Sequence, residues 1–147
     1  MDMHDERRLE ELQTAVTVDV VVECIDDEGR LHPMPTAFGF DPDDPFAVTI
    51  TFRTPADDLP WTFGRDLLMA GLNSATGMGD VRVWPSRDER GRSIVMIEFS
   101  SPDGHLLTQV DATEVAGFLA LTVAAVPPGA ESALLDLDDL VGRLLDA

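Results

Sequence analysis

Three histidines, one cysteine and 28 acidic side chains are the groups in this chain that could hold a metal or move a proton. Their spacing organises neither task. His4, His32 and His105 show no metal-pair spacing, and with Cys24 alone a Cys/His zinc site lacks ligands. Asp41-Pro42-Asp43-Asp44-Pro45 is acidic but lacks the alternating oxygen ligands, the mid-loop glycine and the distal glutamate of a calcium loop. Asp and Pro together make turns, which is how this stretch reads. Asp57 and Asp58 read as solvated loop carboxylates rather than an acid/base couple. No Gly-x-Ser-x-Gly elbow marks a nucleophile. Gly77-Met78-Gly79 is followed by a strand, where a dinucleotide loop requires a helix. The expectation is a protein without catalytic residues, cofactor or metal.

Binding is the chemistry left. Trp61 and Trp84 bury large areas if they lie in a core, and as exposed aromatics they would anchor a protein partner. Arg82 and Arg87 flank Trp84 on the same stretch. Arg82, Trp84, Arg87 and Trp61 are therefore the candidate partner-binding residues. With Arg90 and Arg92 the arginines could form a local basic patch, or simply solvate a hairpin loop.

The elements that would position these residues follow from periodicity. Residues 1–13 form a charged N-terminal tail with no assigned role, and 14–147 read as one domain. Val16, Val18, Val20 and Val22 alternate with other side chains, the period-2 mark of a strand. Asp26-Asp27-Glu28-Gly29 turns the chain, and the return strand carries Pro33 and Pro35, which should place it at an edge or break it. Phe46, Val48, Ile50 and Phe52 alternate cleanly; a short strand at 61–63 then leads into a helix at 65–72. Gly77 and Gly79 shape a tight connection into a strand at 80–84, which Pro85 should close at once. A polar hairpin loop covers 87–92, and the apolar run 94–99 reads as a central strand. Pro102-Asp103-Gly104 turns into a strand at 105–110. Asp111 caps a second helix with Glu114 three residues on, and its body, apolar nearly all round, should be buried on more than one side. Ala116, Ala120 and Ala124 form a small-residue stripe along it. Pro127-Pro128-Gly129 ends it, and a third helix should follow Asp136 with Leu137, Leu140, Val141, Leu144 and Leu145 on one face. Strands then a helix, twice, then a C-terminal helix, make an α+β fold of antiparallel β-meanders.

Composition narrows the class. The formal charge of −18 opposes the positive footprint that nucleic acids demand. No apolar run is long enough to span a bilayer and no secretory leader is evident, while one cysteine excludes an internal disulfide. A cytoplasmic protein is expected, with Cys24 as a buried thiol in its strand.

Five stretches carry a resemblance, in this order: Asp44-Pro45-Phe46-Ala47-Val48, 63–68, 76–86, Ser100 to Gly104 and 124–129, with Asp136-Leu137-Asp138 beyond. Together they resemble the SsgA-like proteins, small division and sporulation regulators of filamentous Gram-positive bacteria. The resemblance implies a Whirly-like fold assembled as a homotrimer. It also implies a non-enzymatic role in septum-site selection, with recruitment of the tubulin-like FtsZ or contact with another SsgA-like protein at the division septum. Because Whirly-like folds elsewhere bind single-stranded nucleic acid, that is the rival reading, and the net charge opposes it. Two features depart from the family: Leu119-Ala120-Leu121-Thr122-Val123 stands where members often carry basic residues, and the N-terminus is longer.

Overall fold

The computed structural model describes residues 15–132 and 143–144. The N-terminal tail and the helix expected after Asp136 lie outside them, apart from Arg143 and Leu144, which are helical. Eight strands form one sheet: β1 (Val16–Ile25), β2 (Leu31–Phe40), β3 (Ala47–Arg53), β4 (Asp58–Gly64), β5 (Thr76–Met78), β6 (Val81–Arg87), β7 (Ser93–Ser101) and β8 (Gly104–Asp111). Helix α1 (Arg65–Gly71) follows β4, and α2 (Ala112–Ala125) follows β8. Strand order is β4-β3-β2-β1-β8-β7-β6-β5, so each half of the chain is a four-strand antiparallel meander ending in a helix. The α+β expectation of two such units holds. Within the sheet the meanders pair through β1 and β8, over Glu23↔Gln109, Cys24↔Thr108 and Ile25↔Leu107.

Cross-strand partners share a face, so the register sorts side chains. Val20, Val22, Phe38, Ile50, Val83, Ile97 and Val110 lie on the buried inner face. The sheet curls around that face. Phe99 of β7 meets Phe52 of β3 at 5.3 Å, Trp61 of β4 at 5.2 Å and Phe63 of β4 at 6.2 Å between ring centroids, although three strands separate β3 from β7 in the sheet. Both helices pack into the hollow. Phe118 of α2 meets Phe38 edge-on at 5.5 Å, and Leu67 and Leu68 of α1 are buried.

Two turns share one construction. In Asp26-Asp27-Glu28-Gly29-Arg30 the Asp26 carboxylate accepts the amides of Glu28 and Arg30, and Gly29 takes a φ of 78°. In Asp88-Glu89-Arg90-Gly91-Arg92 the Asp88 carboxylate accepts the amides of Arg90 and Arg92, and Gly91 also takes 78°. The aspartate supplies the acceptor and the glycine the left-handed backbone.

The structure corrects several expectations, and the prolines give the clearest physics. Pro85 does not end its strand: β6 runs on to Arg87, with Pro85 opposite Val95. β5 reaches only Val83, so Pro85 sits where β6 has a neighbour on one side alone. Pro33 and Pro35 behave alike. β2 is unbroken and lies between β1 and β3, but β3 covers only residues 36–39 of it. A missing N–H costs nothing where no second ladder exists. The glycine stretch 76–79 is a hairpin whose first arm is the edge strand β5, and only Gly79 uses a positive φ, 60°. The strand expected at 61–63 extends over Asp58–Gly64. Helix α2 is buried along one face only, by Val115, Phe118, Leu119 and Thr122. Its stripe of Ala116, Ala120 and Ala124 is exposed, and Leu121 beside it is 50% exposed.

Candidate interaction surfaces

The four candidate residues do not form one site. Arg82 and Trp84 point to the outer face of β6, because their neighbours Val81 and Val83 are buried inside. The Arg82 guanidinium lies over the Trp84 ring, 5.7 Å from its centroid, and 3.8 Å from Glu98 Oε1 on β7. Trp84 is half-buried, opposite Met96 on β7. Arg87 sits at the far end of β6, where Nη1 donates to the Gly91 carbonyl at 2.9 Å. Trp61 is on the inner face of β4 against Phe99. The arginines do not merge into a basic patch. Arg87, Arg90 and Arg92 share a cleft of about 810 Å³ with Glu23, Asp88, Glu89, Asp111 and Glu114, which answer their charge.

Among the described residues no group of three or more His, Cys, Asp or Glu side chains could hold a metal ion. Cys24, in β1, is half-buried, and burial with the nearby Glu23 charge pushes its thiol pKa up. A thiol so disfavoured as thiolate is a poor nucleophile. His32 Nε2 meets Asp26 Oδ2 at 2.8 Å. That hydrogen bond, with the Arg30 amide on the other oxygen, holds the Asp26 carboxyl below its ordinary pKa. A depressed carboxyl adds stability above its unfolded pKa and loses it as pH falls through the folded value. Melting temperatures from about pH 6 down to about pH 2 should therefore show Asp26→Asn below the parent chain at the upper end. The gap should close at the acid end; a gap constant with pH would mean that the charge contributes nothing.

Sequence reasoning missed the most deeply buried charged side chain among the described residues, Arg65, which opens α1 and is 1% exposed. Gly64 before it offers no capping side chain, and the Arg65 amide donates instead to the Phe46 carbonyl at 2.7 Å. Its Nη1 donates to the carbonyls of Thr122 (3.1 Å) and Val126 (2.7 Å) at the C-terminal end of α2. Positive charge there also suits the helix dipole. Nη2 pairs with Glu131 Oε1 at 2.7 Å, an oxygen that also accepts the Gly129 amide, and the Phe40 ring lies 5.1 Å from the guanidinium carbon. Three of the resemblance stretches, 44–48, 63–68 and 124–129, thus meet at one residue, the first through its backbone amide and the last through its guanidinium. Two others meet elsewhere: the Ser100 amide donates to the Asp80 carbonyl at 2.8 Å. The local sequence signal for Arg65 was only a charge before an apolar helix; its partner is 66 residues away.

With that geometry in place, comparison with known proteins places the chain. Residues 34–131 match the family model described as Streptomyces sporulation and cell division protein, SsgA. The sporulation-specific cell division protein SsgB of Streptomyces coelicolor is 41% identical over 135 residues, spanning 91% of this chain and 98% of that one. SsgB of Kineococcus radiotolerans is 41% identical over 134 residues, 90% of this chain and 81% of its own. A crystal structure of an SsgA-like sporulation-specific cell division protein from Thermobifida fusca aligns with a TM-score of 0.80 at 32% identity, over 89% of this chain and 96% of that one. A structure from work on SsgB mutations and longitudinal division in Streptomyces coelicolor sporulation aligns at 0.77 with 40% identity, over 83% and 96%. On both sequence and fold, this chain belongs to the SsgA family of sporulation and cell division proteins.

Proposed function

We propose that the protein is a non-enzymatic regulator of cell division and sporulation septation. It acts by protein–protein contact, recruiting or localising FtsZ at the septum or working through another SsgA-like protein. The observation that carries this reading is the near end-to-end match to SsgB proteins, themselves named sporulation-specific cell division proteins. Among the described residues no helix is long and apolar enough to cross a membrane, in keeping with a cytoplasmic protein drawn to the septum by a partner. The Whirly-like homotrimer that the resemblance implies belongs to the same reading, and the exposed small-residue face of α2 supports it as a surface that lets another subunit approach closely.

The test is co-sedimentation with cognate FtsZ polymerised by GTP at moderate salt. Enrichment in the pellet, or a higher polymer yield, is the expected result; no effect on either would remove direct recruitment and leave the adaptor role. Light scattering on the same preparation should return three times the 16.0 kDa chain mass, and a value near 16.0 kDa would end the trimer.

A further inference from the structure

At one end of the curled sheet the hollow is not filled. A groove of about 650 Å³ opens there, walled by Ile25, Met34, Phe52, Leu59, Trp61 and Leu106, with almost no polar surface. Leu59 is 54% exposed on its lip. Three hairpins surround the mouth, and their turns are acidic. The β1–β2 turn carries Asp26, Asp27 and Glu28, the β3–β4 turn Asp57 and Asp58, and the β7–β8 turn Asp103. The basic side chains nearby are already engaged: His32, in the groove wall, meets Asp26 at 2.8 Å, Arg30 pairs with Glu28 and Asp26, and Arg53 pairs with Asp19 at 3.1 Å. An apolar floor inside a negative rim selects a ligand that is greasy in the middle and positive at its flanks.

We propose that this groove docks a short apolar segment of a partner protein flanked by lysine or arginine. The inference rests on the reading of the chain as a protein-binding regulator and names the chemistry of one partner segment. Charge decides among the occupants. A second copy docked groove to groove would bring its own acidic turns against these. The chain's own ends carry the wrong sign too: residues 1–14 hold five acidic groups against two arginines, and 133–147 hold four against one. Anionic lipid would meet the same repulsion.

The groove contains its own reporters. Cys24, the single cysteine of the chain, lies in its wall, and Trp61 is one of only two tryptophans. The experiment uses the full chain and the synthetic peptide Lys-Lys-Leu-Phe-Leu-Lys-Lys, with Glu-Glu-Leu-Phe-Leu-Glu-Glu as control. Two signals are followed: the rate of Cys24 alkylation, at an alkaline pH where enough of the raised thiol ionises to react, and Trp61 emission in a Trp84→Phe chain. The lysine peptide should slow alkylation and shift the emission, and should bind at least about tenfold more tightly than the glutamate peptide, with the margin shrinking in salt. Asp57→Asn with Asp58→Asn should narrow that margin. Leu59→Lys, at an exposed position that the fold does not need, should weaken lysine-peptide binding about tenfold by placing a cation on the lip. Equal binding of both peptides, or of neither, overturns the proposal. So does alkylation that slows with protein concentration in the absence of peptide, which would identify a second copy as the occupant. Because the probe contains no FtsZ, failure of the sedimentation test leaves this result readable.

Discussion

Replacing Arg65 by methionine should cost about 3–5 kcal/mol of folding stability, because it strands the Glu131 carboxylate in a buried site. The apolar gain from the methionine does not offset this. Glu131 would keep the Gly129 amide as a donor, and the Val126 carbonyl would lose the guanidinium. In a domain whose total stability is typically about 5–15 kcal/mol, that loss is a large fraction, and it should lower the melting temperature by roughly 10 °C. The informative variant is the double one. Adding Glu131→Gln removes the uncompensated charge and retains an oxygen for Gly129, so the pair should be less destabilised than Arg65→Met alone. Urea titration of the four chains checks this, and simple additivity would mean that the pair is not the source of the cost. Arg65→Lys should not rescue: an ammonium on a flexible stem cannot hold two carbonyls and a carboxylate in one fork.

The second large effect is expected at Gly71, the last residue of α1. A Cβ there would lie 2.1 Å from Val83 Cγ1 and 2.6 Å from Val83 Cβ. Val83 is fully buried in β6 and β-branched, so its side chain has no easy rotamer to escape into. Gly71→Ala therefore forces α1 away from the sheet. Overpacking of this kind costs about 1–3 kcal/mol, more than the roughly 1 kcal/mol of helix propensity that alanine brings. Adding Val83→Ala removes the closer clash and leaves the Cβ contact, so the double variant should lose less stability than the sum of the singles. Equality with the sum, by denaturant unfolding, would show that the two residues do not press on each other.

Much of this architecture was written locally. Val16 to Val22 and Val48 to Phe52 showed their period, although Phe46, expected to share it, lies outside β3 and is exposed; Gly29 and Asp111 made the turn and the cap that their types suit best. What stayed hidden depends on where neighbours stop. Whether Pro85 breaks a strand is decided by β5 ending at Val83, and no window around Pro85 contains that fact. Whether α2 is covered on its alanine face depends on what lies beside it, and apolar composition is the same in either case. The candidate site was legible only in parts. Trp61 lines the apolar groove, but the sheet itself parts it from Arg82 and Trp84, because it faces inward against Phe99 while they face outward, and no local window shows which face a curled sheet closes over. The resemblance stretches identified the family, and the structure shows why several of them hold together: they are joints, at Arg65 and at the Asp80–Ser100 bond.

The helices pack across the two halves of the chain. The helix that closes the first meander rests on β6 of the second, at Gly71 and Val83, while the helix that closes the second rests on Phe38 of the first. Arg65 then ties the two helices together. The first helix sits mainly on β5 and β6 of the other half, whereas the second also packs on β7 and β8 of its own. An insertion or register change in one half should therefore reach the helix encoded in the other. The two halves thus form a single packing unit that shares one core.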